Sequence, residues 1–112
     1  MKIKDTIAAL AALAQETRLS IFRALVRQGP AGLAAGALAE RLGVANATLS
    51  FHLKELMRAD LIDSRQEGRF IYYMANYGTM NDLLGYLTEN CCQGADCGIA
   101  CAPTIQRKRK TA

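Results

Sequence analysis

The stretch from Leu38 to Met74, LAERLGVANATLSFHLKELMRADLIDSRQEGRFIYYM, constrains the fold more than any other part of the chain. A short helix over Leu38–Leu42 stops at Gly43. A second helix starts near Asn46, whose side chain is suited to cap it by accepting a hydrogen bond from a free backbone N–H. Two β-prone segments follow, around Leu61–Arg65 and Arg69–Met74, joined by the polar turn Gln66–Glu67–Gly68. Helix, turn, helix and hairpin, in that order, make a winged helix-turn-helix: a mainly α fold with a small β-hairpin. Such a unit lays its second helix in the major groove, so the expected partner is double-stranded DNA.

The second helix divides into two faces. Leu49, Leu53 and Leu56 recur at helical spacing and form the stripe expected to be buried. Asn46, Thr48, Ser50, Phe51, His52 and Lys54 fall on the remaining surface. The short polar residues near its start suit base edges, and a helix N-terminus favours phosphate. On an ordinary helix the same residues would be a solvated face and nothing more. The hairpin argues for DNA, because Arg65 and Arg69 flank its turn and would reach the flanking backbone or the minor groove.

The chain has 112 residues, enough for one domain with one modest core. Apolar residues make up 51%, but no run approaches the length of a membrane span, so no membrane partner is expected. The formal charge of +4 is uneven: Arg107, Lys108, Arg109 and Lys110 equal it by themselves, leaving the rest near neutral. Such a basic end is most simply solvated, with sequence-independent phosphate contacts as a second role. There is no paired acid and base, no nucleophile–histidine setting and no phosphate-binding glycine motif, so enzymatic activity is not expected.

Lys2 and Lys4 precede the apolar stretch Ile7–Ala14, which has the look of a short secretory signal. It is shorter than usual, Asp5 interrupts the charged region, and the helical pattern runs on into Thr17–Val26. Two consecutive helices, Ile3–Ala14 and Glu16–Val26, account for it better. The second carries Leu19, Phe22, Leu25 and Val26 inward and ends at Gly29-Pro30. A cytoplasmic protein with reduced thiols is then expected. Ala31–Gly36 looks like a featureless loop. Asn76 begins a last helix whose Tyr77, Met80, Leu83, Leu84 and Leu87 form an apolar stripe. The first and last helices carry more apolar surface than one small domain covers, which points to a homodimer. Two recognition helices about one DNA turn apart would read a palindromic operator. The expected division is a DNA-binding and dimerisation domain over residues 1–90 and a cysteine-rich tail with a basic end over residues 91–112.

All four cysteines lie in one window: Cys91, Cys92, Cys97 and Cys101. Adjacent Cys91 and Cys92 can chelate one soft ion if the backbone bends there, and Gln93-Gly94 permits the return that brings in Cys97. Thiolates select soft ions. Zinc typically takes four ligands with Cys-x₂₋₄-Cys spacing, which an adjacent pair fits poorly. Trivalent arsenic or antimony takes three thiolates in a pyramid. The single histidine, His52, lies on the recognition helix, so the last helix offers no imidazole to a zinc, nickel or cobalt site. Three readings remain open: arsenic-type sensing, zinc or cadmium binding, and thiol redox sensing.

From Leu10 to Cys101 the chain resembles the ArsR/SmtB family of metal-responsive repressors. The resemblance rests on ALAQETRLSIFRAL, on TLSFHLKEL with its S-x-H-L-x-x-L pattern at Ser50, His52, Leu53 and Leu56, and on the wing RQEGRFIYY. ENCC followed by a further cysteine looks like arsenic-responsive members whose site lies at the end of the last helix. The resemblance implies a homodimeric repressor that holds an operator until arsenite, or antimonite, ties Cys91, Cys92 and Cys97 together, with Cys101 as the alternative third ligand. A metalloid-sequestering protein is the other class of function left open. Two departures stand out. The Cys-x-Cys-x-x-Cys site of well-known arsenic repressors is replaced here by Ala34, Gly36 and Ala39. Phe51 stands where many members have a polar or basic residue, so it either meets a thymine methyl or packs against the wing.

Overall fold

The computed structural model describes residues 1–94; Cys97, Cys101 and the basic run at 107–110 lie outside the described residues. Helix α1 spans Ile3–Leu13. Its buried residues are small, Thr6, Ala9 and Ala12, so it lies close against its neighbours. Its large residues Ile3, Ile7 and Leu10 point the other way and are exposed. Helix α2, Glu16–Gln28, starts under a cap in which Gln15 Oε1 accepts from the Arg18 N–H at 2.9 Å. Ile21, Phe22 and Leu25 are buried, but Leu19, expected inward, is 43% exposed. It precedes Ile21 by two positions, about 200° around the helix, and so faces away from the core.

The segment expected to be a loop instead supplies a strand. β1, Leu33–Ala34, pairs antiparallel with the second hairpin strand, Leu33 opposite Tyr73. Gly32 makes this approach possible. Its φ is +78°, and a Cβ there would stand 2.6 Å from the Tyr73 carbonyl oxygen. Helix α3, Ala35–Leu42, follows at once, beginning three residues before the expected Leu38, and closes on Gly43 in the left-handed conformation.

Helix α4 spans Asn46–Arg58 with Leu49, Leu53 and Leu56 buried, as its spacing predicts. Its N-cap is Ala45, without a side-chain hydrogen bond, so Asn46 is the first helical residue and not the cap. Strands β2, Ile62–Glu67, and β3, Phe70–Ala75, form the wing. Glu67 pairs with Phe70, leaving the two-residue turn Gly68-Arg69, one step later than the expected Gln66–Glu67–Gly68. Gly68, at φ +64°, supplies the positive φ that tight hairpins need. The sheet order is β1-β3-β2. Helix α5, Tyr77–Thr88, is capped by Asn76, whose Oδ1 accepts from the Thr79 N–H at 3.1 Å. The Tyr77 hydroxyl donates to the Val26 carbonyl at 3.0 Å and ties α5 to α2. Ile21, Leu25, Leu38, Leu49, Leu56, Leu61 and Ile62 make the fully buried centre. From α5 only Leu83 is buried, while Leu84 and Leu87 stay exposed. Among the described residues no helix is long and apolar enough to cross a membrane.

Candidate nucleic-acid interface and thiol site

The outward face of α4 is a surface of mixed character. Ala47, Ser50, Phe51 and Lys54 are exposed and recur at i, i+3, i+4 and i+7, one ridge along the helix. Asn46 and Thr48 flank its first turn and are also exposed. Lys54 supplies the positive charge of this ridge. Arg58, on the last turn, is held in an ion pair with Glu55 at 2.9 Å. Ala47 belongs to the ridge although it has no polar group to mark it; its position four residues before Phe51 is the signal.

His52 does not belong there. The sequence assigns it to the exposed side, but it is 8% exposed, and Arg18 Nη1 lies 3.2 Å from its Nδ1. Helical geometry puts it three residues after Leu49 and four before Leu56, on the buried stripe. Arginine has donors only, so Nδ1 accepts from it. The same guanidinium donates through Nε to the Ala12 carbonyl at 2.7 Å. Arg18 therefore ties the end of α1 and the start of α2 to the middle of the recognition helix. Nothing near Arg18 in the sequence marks this role, because its partner is 34 residues away.

The two wing arginines part company. Arg69 occupies the exposed turn, where a wing can meet nucleic acid. Arg65 lies within β2 and turns back on the protein. Its Nη2 donates to the Ala31 carbonyl at 2.8 Å and Nη1 to the Pro30 carbonyl at 3.3 Å. Nε pairs with Glu67, and the guanidinium lies over the Tyr72 ring, 5.2 Å from its centroid. The expected outward reach of Arg65 is thus replaced by a clamp that fixes the wing on the loop after α2. Its two carbonyl acceptors belong to the segment that enters β1, a pairing the sequence alone did not reveal.

After α5 the backbone bends sharply. Asn90 and Cys92 adopt positive φ, +57° and +56°, on either side of Cys91, and Cys91–Gly94 forms a 3₁₀ turn. The bend brings the two adjacent sulfurs together, with Sγ atoms 3.5 Å apart. Cys91 is half-buried and Cys92 exposed. Two thiolates held about 2.3 Å from one ion would subtend about 100° at this separation, narrower than a tetrahedral angle. Two sulfurs this close can both reach one soft ion, with further donors needed to complete its coordination.

A helix-turn-helix domain family matches residues 13–65, from the end of α1 into the wing. The nodulation protein NolR of Rhizobium meliloti is 34% identical over 80 residues, 71% of this chain and 63% of that protein, so the chain spans less than two thirds of NolR's length. The arsenical resistance operon repressor of Bacillus subtilis is 37% identical over 81 residues, 72% of this chain and 73% of the repressor. An ArsR-like transcriptional regulator from Rhodococcus superposes with a TM-score of 0.68 at 33% identity, covering 76% of this chain and 77% of that one. The homodimeric winged helix-turn-helix DNA-binding domain of a possible ArsR-family regulator from Mycobacterium bovis superposes at 0.64 with 26% identity, covering 79% of this chain and 82% of that one. By sequence and by fold, the chain belongs to the ArsR family of winged helix-turn-helix transcriptional regulators, a non-enzymatic class.

Proposed function

We propose that this protein is a cytoplasmic, homodimeric repressor that holds a duplex operator and releases it when trivalent arsenic, or antimony, binds its C-terminal thiols. Residues 1–90 form the DNA-binding and dimerisation unit, and residues 91–112 the metalloid-binding tail. Asn46, Thr48, Ser50, Phe51 and Lys54 of α4 face the major groove, and Arg69 at the wing tip meets the flanking backbone or minor groove. Cys91 and Cys92 supply two thiolates, and Cys97 the third, with Cys101 as the alternative. The observation that carries the effector assignment is the 3.5 Å approach of the two sulfurs at a bend after α5. That helix also bears the exposed Leu84 and Leu87, which together with Ile3, Ile7 and Leu10 would meet a second copy. A metalloid that gathers the thiols favours one arrangement of this end of α5. Only such a difference between states can shift DNA affinity, and a coupling of about 1–3 kcal/mol is enough for a useful switch.

The test is release of the protein from a fluorescent fragment of its own promoter, titrated with arsenite, antimonite, zinc, cadmium and peroxide. Arsenite and antimonite should release it. Cys91→Ser and Cys92→Ser should bind the fragment normally and fail to respond, and Cys97→Ser should match them while Cys101→Ser responds as the parent does. Reversal of the last two would make Cys101 the third ligand. Release by zinc, cadmium or peroxide alone would replace the effector. Arsenite-induced release of the protein with all four cysteines changed to serine would remove the site from this tail.

A further inference from the structure

We infer that Phe51 reads thymine methyl groups in the major groove, so that each operator half-site carries thymine beneath the middle of α4. The inference rests on the proposed duplex binding and adds what the recognition face selects. Phe51 is 57% exposed at the centre of the outward ridge, with Ala47 one turn before it, also exposed and also without a polar group. Ser50 and Lys54 border this apolar spot. The exposure excludes the alternative that Phe51 is spent in packing against the wing. Its ring stands edge-on to His52, with centroids 5.4 Å apart. His52 is in turn buried and bonded to Arg18, so one side of the ring rests on a residue that is itself held in place.

Phenylalanine has no hydrogen-bonding group and cannot distinguish the donors and acceptors that mark guanine, adenine or cytosine. The major-groove feature complementary to it is the C5-methyl of thymine. The face thus combines an apolar reader with a hydroxyl, Ser50, and a phosphate-seeking cation, Lys54. Its selectivity should centre on a methyl group and not on a bidentate pair to guanine.

The experiment uses the full-length protein and duplexes that it selects from a random-sequence pool. Each thymine of the selected half-site is then replaced by deoxyuridine, which removes the methyl and leaves base pairing intact. One thymine per half-site should prove sensitive, weakening binding about fourfold when replaced in one half-site and about fifteenfold in both, the effect of one methyl each time withdrawn from water. Phe51→Ala should bind the thymine and deoxyuridine duplexes equally, and Phe51→Leu should keep part of the preference. If the protein binds its selected duplex but no thymine is sensitive, the methyl role fails and the DNA-binding reading stands. If Phe51→Ala keeps the full preference, another residue reads the methyl and the assignment to Phe51 is wrong. If no duplex is recovered from the pool, both this inference and the repressor reading fall.

Discussion

Replacing Ile7 by alanine should weaken self-association while leaving the folded protomer intact. Ile7 lies in the middle of α1 and is 59% exposed, in line with Ile3 and Leu10. Full burial of an isoleucine side chain is worth roughly 1.5–3 kcal/mol. Covering the part still exposed would contribute about 1–2 kcal/mol per protomer. A two-fold interface uses the same patch twice, so the dimer should lose about 2–4 kcal/mol, a dissociation constant weaker by roughly 30- to 700-fold. The side chain does not belong to the protomer's buried set, and alanine is the better helix former, so helix content should not fall. Sedimentation equilibrium over nanomolar to micromolar protein measures the constant, with far-ultraviolet circular dichroism as the control for folding. An unchanged dimer constant in a folded variant would show that α1 is not at the interface. A variant that unfolds more readily at concentrations where the parent is monomeric would show that Ile7 packs on its own core.

Two further outcomes follow from the packing. Gly32→Ala should lower the urea midpoint more than Gly43→Ala, with the slope unchanged in both. Both glycines have positive φ, at a cost of about 1–2 kcal/mol for alanine, but only at Gly32 does the new Cβ also meet a backbone carbonyl. Arg18→Leu should cost about 1–3 kcal/mol in the same assay, because the Ala12 carbonyl and His52 Nδ1 both lose their donor. His52→Ala should then cost less in the Arg18→Leu background than in the parent, and strict additivity would show that the two residues do not act together.

The recognition unit could be read from the chain wherever its signal was local. The leucine spacing of α4, the stop at Gly43 and the start of α5 at Asn76 each need only a few neighbouring residues, and each is found in place. Three departures have a different cause. His52 looks like a surface residue by type. What makes its burial affordable is Arg18, on another helix. Arg65 looks free to reach outward from its place beside a turn, but in the protomer its guanidinium, still 40% exposed, lies against the carbonyls of Pro30 and Ala31. β1 is two residues long, too short for any alternation to show, and exists because β3 offers it an edge and Gly32 lets the backbones meet. In all three cases the decisive partner is remote in sequence.

The first helix shows a further limit of pattern reading. Its alternation of aliphatic and small residues identifies an apolar face but not what that face is for. Burying Ile3, Ile7 and Leu10 against the protomer would be the ordinary solution. Here the protomer takes Thr6, Ala9 and Ala12 instead and leaves the large residues outside. Small residues allow close helix approach, whereas the large ones offer area that only another surface can cover. The same division recurs on α5, where Leu83 is buried while Leu84 and Leu87 are not. Two terminal helices that both turn aliphatic side chains outward are poor designs for a monomer and sensible ones for half of a dimer. The thiol pair follows the end of one of them, so in the proposed switch an ion that orders this bend would act on the helix whose exposed face would set the spacing of the two recognition helices.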